Sequence, residues 1–461
     1  MIKQILNRNK DLTEGPILHA IVSLAGPLMV IAILHTTQSL IDMFWVGRLG
    51  ADSIAAVAMS ATIMMILFTI IVGVSTGTLA LVARYVGAKD SKKADAVATQ
   101  SIYLGVIMAT VAVVIGLLFT KRLFLLLGAS QEVLKAGIGY LKILLVGGIT
   151  MFMLFLGNAI LQGAGDTVTP MKLMILANII NIILDPVFIF GWGGMPRMNT
   201  SGAAVATVIS QVVSSLLVLW MLSNGRSIVH IHLTEWRFKL DLIKSIIKIG
   251  LPSSLQMFFR SLMGVVLIGI VAGFGTAAVA AYGVGMRLQM VVLMPAFALG
   301  GSAATLVGQN LGSGQPGRAK LSAWVATLFD MIVMAFIAVA FFSFAYQFMS
   351  VFNKDKNVIA LGIQYLRITT PFYIFIAFGI VLNRALAGAG DTFVPMIITL
   401  LTLWGFQVPA AILFSRNTAL GVTGVWWAIA LASLLNGLLI LGWFETGRWK
   451  KRVSGGIITP K

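Results

Sequence analysis

Two acidic residues lie inside very apolar stretches of this sequence, where a charge is costly. Asp42 belongs to a stretch near residues 16–46, and Asp185 to one near residues 168–192. A charged side chain at the centre of a bilayer costs about 3 kcal/mol on insertion scales, so such acids are functional candidates by default. Two carboxylates in a partly dry pocket can hold a proton, or they can coordinate a small hard cation through oxygen.

Polar neighbours extend this pair over three stretches, each with spacing that puts its polar side chains on one helix face. They are His35, Gln38 and Asp42 in the first stretch, Asn178, Asn181 and Asp185 in the second, and Thr207 and Gln211 in the third. One interior pocket can receive all three faces, which predicts a cation-coupling site, with Na⁺ at Asp42 and Asp185 as one possibility and H⁺ as the other. The alternative is a pair of acids that is satisfied by local hydrogen bonds and only holds these helices together.

The composition indicates a polytopic membrane protein. Of 461 residues, 59% are hydrophobic and 10% are charged, and the mean hydropathy is +0.97. Twelve apolar stretches are long enough to cross a hydrocarbon core of about 30 Å as helices. They lie near residues 16–46, 52–83, 94–120, 132–161, 168–192, 201–224, 241–272, 276–310, 318–346, 357–386, 393–414 and 421–444. Continuous apolar runs disfavour a β-barrel, so the predicted fold is all-α with twelve transmembrane helices.

The chain consists of two homologous halves that align at an offset of 225 residues. Pro27 aligns with Pro252, and Gly163 to Met171 matches Gly388 to Met396 at seven of nine positions. Such a duplication predicts two six-helix bundles of the same orientation with a cavity between them. We expect an N-terminal lobe over residues 1–224, a cytoplasmic linker over 225–240 and a C-terminal lobe with a basic tail over 241–461.

The candidate cation site falls where the two halves differ. Asp42, Asn181 and Asp185 align with Leu267, Phe406 and Ala410, respectively. Packing alone does not explain why only one half of the chain carries these charged residues. We therefore place the site in the N-terminal lobe, within about two turns of the outer helix ends. The aligned aspartates Asp166 and Asp391 are different, because each precedes a span and is expected to cap its helix.

The second half offers candidates for contact with substrate. Soft methionine side chains and aromatic faces suit adaptable binding of apolar or cationic molecules, and packing in the core or against lipid is the alternative for any single one. The candidates for the substrate cavity are Gln211, Gln256, Met257, Arg260, Met286 and Arg287. Asp330 has no acidic counterpart in the first half, and two interpretations stay open for it: an ion pair with Arg260 or Arg287, or a role in transport.

The net charge of +18 could suggest nucleic acid, but the basic residues concentrate in short connections between spans, which favours a topological signal. With the N-terminus cytoplasmic, most of them fall on that face. They are Lys3, Arg8, Lys10, Arg84, Lys89, Lys92, Lys93, Arg226, Arg237, Lys239, Lys244, Lys248, Arg448, Lys450, Lys451 and Arg452. We therefore expect a multi-pass protein of the cytoplasmic (inner) membrane with both termini cytoplasmic, no nucleic-acid partner and no removable signal peptide.

Other chemistries find little support. The chain has no cysteine, and its four histidines show no metal-site spacing on one helix. A membrane-embedded enzyme would need a third catalytic partner for the two aspartates, and a Gly-x-x-x-x-Gly-Lys-Ser/Thr nucleotide loop is missing. We expect no enzymatic activity and no cofactor other than H⁺ or Na⁺ as coupling ion.

Several motifs resemble those of the multidrug and toxic compound extrusion (MATE) transporters. They are Leu24 to Pro27, Val46 to Gly50 and the doubled Gly-Ala-Gly-Asp-Thr, and the similarity covers nearly the whole chain. Asp42 together with Asn181-x-x-x-Asp185-Pro186 is similar to the DinF-like branch of that family. Relatives of the NorM-like branch carry acids on helices seven and ten. Here those spans offer Gln256 and Arg260 instead, so a cation site of that second type is not expected.

The resemblance implies a secondary-active antiporter, which exports amphiphilic, often cationic, organic compounds against inward H⁺ or Na⁺ movement by alternating access. It implies a V-shaped pair of bundles with a central cavity, a bend of helix one at Pro27, and a coupling network formed by Asp42, Asn181, Asp185 and Thr207. The lipid bilayer and drug-like molecules would be its partners, and a monomer is the default. The alternative is a flippase for lipids or lipid-linked substrates within the same broad superfamily.

Overall fold

The structure is a computed structural model that describes residues 11–225, 227–232 and 238–451. Within these ranges, twelve helices are long and apolar enough to cross a membrane, as the hydropathy predicts. In chain order they are α1 Ile17–Gly47, α2 Ala51–Gly87, α3 Ser91–Leu126, α4 Gln131–Gly163, α5 Val168–Phe190, α6 Thr200–Ser223, α7 Leu240–Ala272, α8 Thr276–Gly312, α9 Pro316–Ser343, α10 Lys356–Gly388, α11 Phe393–Arg416 and α12 Val422–Glu445. The predicted fold class is confirmed, and a short helix, Ala345–Phe352, precedes α10.

Two helices of the second half are not uniformly α-helical. A π-helical segment, Phe378–Leu382, interrupts α10, and another, Leu401–Gln407, interrupts α11. The corresponding helices of the first half, α4 and α5, are continuous α-helices. π turns inside α-helices are frequent at functional sites, so this difference marks the second half as a candidate location for a functional site.

The described chain forms two compact units. Unit 1 includes Gly26–Ser254, and unit 2 includes Leu12–Ala25 and the chain from Leu255 onward. Both divisions therefore fall within a helix, in α1 beside Pro27 and in α7 beside Pro252. A proline inside a helix removes one backbone donor and clashes with the preceding turn, so each division coincides with a site of local bending.

In unit 1, the first part of α7 packs closely on α2 through small residues. A Cβ atom on Gly73 would collide with the backbone of Gly250, and one on Gly77 would collide with the carbonyl of Ile246. Glycine at such contacts lets two membrane helices approach without intervening side chains.

In unit 2, a buried aromatic cluster lies between α8, α10 and α12. The rings of Tyr282 and Trp426 stack with their centroids 5.6 Å apart, and Tyr365 meets Trp426 edge to face at 5.1 Å. Trp426 and Tyr365 are completely buried. Such pairs contribute about 0.5–1.5 kcal/mol beyond the burial of their surface, which makes this cluster a rigid wall of the unit.

Asp166 caps its helix, as the sequence predicts. Asp166 Oδ1 accepts the backbone N–H of Thr169 at 2.9 Å, and Asp166 Oδ2 accepts the hydroxyl of the same residue at 2.6 Å. These bonds cap the start of α5. In the second half, Asp391 Oδ2 accepts the indole N–H of Trp443 at 2.9 Å, which ties the loop before α11 to α12.

Part of the predicted linker is described, and it lies against α3. The backbone N–H of His230 donates to Asp95 Oδ1 at 2.7 Å, and that of Lys239 donates to Gln100 Oε1 at 3.0 Å. His230 thus binds a protein carboxylate through its backbone. Several basic positions of the topology prediction lie outside the described residues: Lys3, Arg8, Lys10, Arg226, Arg237 and Arg452.

Candidate functional site

Three helices of unit 1 bring the predicted acidic and amide residues together. α1 carries Asp42, α5 carries Asn181 and Asp185, and α6 carries Thr207. Asn181 and Asp185 are completely buried, and Asp42 is half-buried. The carboxyl groups of Asp42 and Asp185 lie within hydrogen-bond reach of each other. A hydrogen bond between them needs a proton on one, since two adjacent carboxylates repel each other when both are ionised.

Asn181 connects the acid pair to α6. Its Nδ2 donates to Asp185 Oδ1 at 3.3 Å and to Thr207 Oγ1 at 3.4 Å. The Thr207 hydroxyl in turn donates to the backbone carbonyl of Ala203 at 3.0 Å, which fixes its lone pairs toward Asn181. The i, i+4 spacing of Asn181 and Asp185 on α5 makes the first of these bonds possible.

When both acids are ionised, several buried oxygen atoms of this region have no hydrogen-bond donor among the described residues. They are Asp42 Oδ1, Asp185 Oδ2, Asn178 Oδ1 and Asn181 Oδ1. Buried acceptors without a partner are costly, and a proton or a cation relieves that cost. The described residues contain no group of three or more His, Asp or Glu that could hold a metal ion, so the donor set is two carboxylates with amide and hydroxyl oxygens. Oxygen donors of this kind suit a hard monovalent cation or a proton.

Tyr140 of α4 is a further member of the site that the sequence reasoning missed. Its phenol lies close enough to interact electrostatically with both Asp42 and Asp185. The ring packs beside Val46 and Ile189, which hold it at this end of the unit. A comparison of the two halves hides this residue, because a tyrosine stands at the equivalent position of the second half. A tyrosine retained in both copies is the signal that could have found it.

The other predicted polar residues of unit 1 lie nearby but do not bond to the acids. Gln38 is half-buried on α1, one turn before Asp42, and Gln211 is half-buried on α6. Asn178 is buried, and its Nδ2 donates to the carbonyl of Met174 at 2.9 Å within its own helix. Of the predicted network, the structure therefore joins Asp42, Asn181, Asp185 and Thr207.

Unit 2 contains a separate cavity of about 190 Å³. Arg260 and Met286, both predicted to contact substrate, contribute to its wall. Both π-helical segments reach it as well. Polar and aromatic side chains complete much of the wall: Tyr282, Gln289, Tyr365, Gln407 and Asn436.

Three other predicted substrate residues lie away from this cavity. Gln256 Nε2 donates to Thr399 Oγ1 at 2.7 Å and to the carbonyl of Pro395 at 3.2 Å, so it fastens α7 to α11. Met257 is half-buried on α7 beside it. Arg287 is exposed on the surface of α8.

Asp330 of α9 does not form the ion pair that was one of its two interpretations. It is completely buried, and neither of its carboxylate oxygens has a hydrogen-bond partner among the described residues. Of the two interpretations, the ion pair with Arg260 or Arg287 is therefore wrong. The two arginines and the acid all lie in unit 2, but their helices hold them too far apart for a salt bridge.

The twelve candidate membrane helices of the described residues, the internal duplication and the facing acids Asp42 and Asp185 indicate a transporter rather than an enzyme. The MatE family profile matches residues 27–187 and again residues 252–413. The chain belongs to this family of MATE transporters. The two matches begin at the two aligned prolines, which confirms the internal duplication.

Named relatives agree with this assignment. The chain is 29% identical over 430 residues to the probable multidrug resistance protein YoeA of Bacillus subtilis, which covers 92% of this chain and 93% of that protein. It is 30% identical over 431 residues to an FAD transporter of Shewanella oneidensis, covering 93% and 94%, respectively. A crystal structure of a MATE transporter in the bent conformation superposes with a TM-score of 0.90 at 28% identity, over 96% of this chain and 98% of that one.

Proposed function

We propose that this protein is a multidrug exporter that couples the inward movement of H⁺ or Na⁺ to the efflux of amphiphilic organic compounds. The observation that carries the proposal is the facing pair Asp42 and Asp185 in a chain of the MatE family. Several relatives are named as multidrug resistance or multidrug export proteins, among them YoeA and MepA of Staphylococcus aureus. The relative named as an FAD transporter extends the range of substrates beyond cationic drugs.

The acid pair supplies the coupling in this proposal. Two ionised carboxylates in a dry pocket repel each other, so the empty site favours a conformation that admits water. A cation that enters from outside removes this repulsion and lets α1, α5 and α6 close on the site. A ligand shifts a conformational equilibrium only by the difference in its affinity for the two states. In an antiporter the cation enters where the substrate leaves, so in this proposal the loaded state is the one that releases substrate. Pro27 is the hinge of α1.

Efflux from proteoliposomes tests the proposal. Ethidium transport is measured with a pH gradient alone and with a Na⁺ gradient alone, and we expect one of these gradients to drive it. The double variant Asp42→Asn plus Asp185→Asn should lose gradient-driven efflux, because neither amide can release a proton or offer a negative charge. Asp52→Asn, which changes an exposed acid in the first turn of α2, is the matched control. Efflux of wild-type size from the double variant would contradict the coupling role.

Localisation and assembly belong to the same proposal. We infer an inner-membrane protein with both termini cytoplasmic, which functions as a monomer without nucleic acid and without a cofactor other than the coupling ion. In support, Asp11 forms a 3.4 Å ion pair with Lys89 of the basic connection between α2 and α3, so the N-terminal segment and this connection lie on one side. Reporter fusions at either end, active only in the cytoplasm, test the topology. Light scattering of the detergent-solubilised protein tests the monomer.

The flippase alternative is less favoured. A flippase would line its cavity with several arginines, whereas of the two candidates Arg260 lines the cavity of unit 2 and Arg287 lies on the surface of α8. The named relatives also carry drug and flavin roles. A scramblase assay with fluorescent lipids in the same proteoliposomes separates the two functions.

A further inference from the structure

The cavity of unit 2 contains a positive charge that no acid among the described residues neutralises through an ion pair. Arg260 of α7 lines the cavity. The ion pairs of the described residues are Lys89 with Asp11, Lys93 with Asp90, His232 with Asp95 and Lys320 with Glu445. None of them involves Arg260. A guanidinium cannot lose its proton in a protein, so this charge stays in place at any working pH.

A second arginine strengthens the positive field. Arg384 of α10 lies close enough to Arg260 for the two charges to repel each other. Its guanidinium carbon lies 5.5 Å from the ring centroid of Phe297, and no described acid forms an ion pair with it either. Two neighbouring like charges in an apolar unit raise the free energy of the empty cavity. An anion between or beside them removes that cost, and the planar fork of arginine matches carboxylate and phosphate oxygens.

The rest of the wall suits an organic anion better than a bare ion. The Tyr365 hydroxyl donates to Gln289 Oε1 at 3.1 Å, which leaves the amide nitrogen of Gln289 as a donor at the cavity. Tyr282 adds an aromatic edge. A volume of about 190 Å³ holds an anionic group with one attached ring, and is smaller than the range of about 300–1,000 Å³ typical of drug-sized ligands.

The backbone around the cavity is also specialised. Asn436 of α12 donates from Nδ2 to Thr402 Oγ1 at 2.9 Å, inside the π-helical segment of α11. Its Oδ1 lies so near Gly379, in the π-helical segment of α10, that a Cβ atom there would come within 2.9 Å. One amide therefore bonds to the irregular segment of α11 and packs closely against that of α10. The corresponding helices of unit 1 have no π-helical segment within the described residues, so this construction belongs to the second half alone.

We propose that this cavity is a binding site for the carboxylate or phosphate group of an amphiphilic organic anion, with Arg260 as its principal ligand and Arg384 as a supporting charge. The inference rests on the proposed export function and specifies the charge of one class of its substrates. The same chemistry fits the headgroup of an anionic lipid, so the experiment has to separate a free organic anion from a lipid.

Calorimetric titration of the purified full chain in nanodiscs of zwitterionic phosphatidylcholine tests the site. The probes are benzoate and phenyl phosphate, with benzamide as a neutral probe of the same shape as benzoate. We expect both anions to bind the wild type at least tenfold more tightly than benzamide. Arg260→Gln should remove this preference, and Arg260→Lys should keep part of it, because lysine retains the charge without the planar fork. Arg416→Gln, which changes an exposed arginine at the end of α11, should bind as the wild type does.

Each outcome decides the proposal. Equal binding of benzoate and benzamide, or unchanged anion binding by a folded Arg260→Gln variant, would overturn it. If nanodiscs that contain phosphatidylglycerol suppress the binding of phenyl phosphate, the site stands and a lipid headgroup occupies it in the membrane. If they do not, the occupant is a free organic anion. Wild-type protein that exports ethidium under a cation gradient but shows no anion preference would refute this site and leave the proposed function intact.

Discussion

Asp42 of α1 and Asp185 of α5 face each other with their carboxyl groups in hydrogen-bond reach, inside a unit whose other buried groups include no basic partner for either acid among the described residues. A pair arranged in this way cannot be satisfied by the protein alone. In the proposed mechanism it takes one shared proton or one bound cation, and the empty and the loaded pair are the two states that a coupled transporter has to distinguish.

Replacing either acid alone should strongly reduce the efflux that a cation gradient drives. Asp42→Asn and Asp185→Asn each leave one carboxyl group beside an amide, which satisfies it permanently by hydrogen bonding. We expect gradient-driven efflux of ethidium to fall at least tenfold in both variants, with thermal stability equal to or above that of the wild type. Transport assays and thermal melting in detergent measure the two effects. A variant that keeps more than half of the wild-type efflux would speak against a shared site.

The two asparagines of α5 provide a matched pair of substitutions. Asn181→Ala removes the bonds to Asp185 and Thr207, whereas Asn178→Ala removes a bond within the helix. A hydrogen bond to a charged group contributes about 1.5–3 kcal/mol, and 1.4 kcal/mol corresponds to a factor of ten. Because the donated N–H stabilises the ionised carboxylate, its loss favours the bound proton, so we expect the H⁺ concentration for half-maximal efflux to fall about tenfold in Asn181→Ala and to change less than threefold in Asn178→Ala. Equal effects of the two would show that Asn181 is not part of the coupling network.

The part of this site that sequence could predict is the part where the two halves differ. Charges inside apolar stretches are rare enough to stand out, so Asp42 and Asp185 were found, and helical spacing added Asn181 and Thr207. Tyr140 could not be found in this way, because the aligned position of the second half is also a tyrosine, Tyr365, and the two halves therefore do not differ there. Its role depends on which helices are neighbours, and hydropathy does not contain that information.

The features of unit 2 were less accessible for a similar reason. Hydropathy located α10 and α11 as spans, since a π-helical segment changes the backbone ladder but not the apolar composition. An ion pair of Asp330 was one interpretation because the acid and the arginines belong to the same half of the sequence. The sequence does not show how each helix is rotated, so it could not exclude that pair. A buried charge in a sequence predicts that a partner or a function exists, but it does not specify which.

Tyrosines at equivalent positions of the two halves should have different functions. Tyr140→Phe removes a phenol beside the acid pair, and Tyr365→Phe removes the donor to Gln289 in the cavity of unit 2. We expect Tyr140→Phe to change the dependence of ethidium efflux on the driving cation, and Tyr365→Phe to leave that dependence within twofold. Efflux rates at a series of cation gradients measure this contrast. If both substitutions shift the cation dependence equally, Tyr140 has no special place in the site.

The carboxyl group of Asp330 should reduce the stability of unit 2. A buried polar group without a partner costs about 1–3 kcal/mol, so Asp330→Leu is expected to raise the thermal unfolding midpoint. Asp355→Leu provides the contrast, because Asp355 caps the start of α10 by accepting the N–H of Asn357 at 2.7 Å, and loss of a cap costs about 1 kcal/mol. Melting curves that move in opposite directions for the two variants would support this account, and a lower midpoint for Asp330→Leu would show that the acid has a stabilising partner.

Close packing of α7 on α2 should make Gly77 intolerant of even one added methyl group. In Gly77→Ala, the new Cβ would collide with the backbone carbonyl of Ile246, and backbone cannot move aside as a flexible side chain does. Overpacking of this kind costs about 1–3 kcal/mol, so the unfolding midpoint should fall by several degrees. Gly283→Ala is the matched control, since its Cβ meets open space on α8 and alanine is the better helix former. Of the two substituted glycines, Gly77 alone faces a backbone atom of a neighbouring helix. Equal midpoints for the two variants would therefore mean that α2 and α7 are less tightly packed than the structure shows.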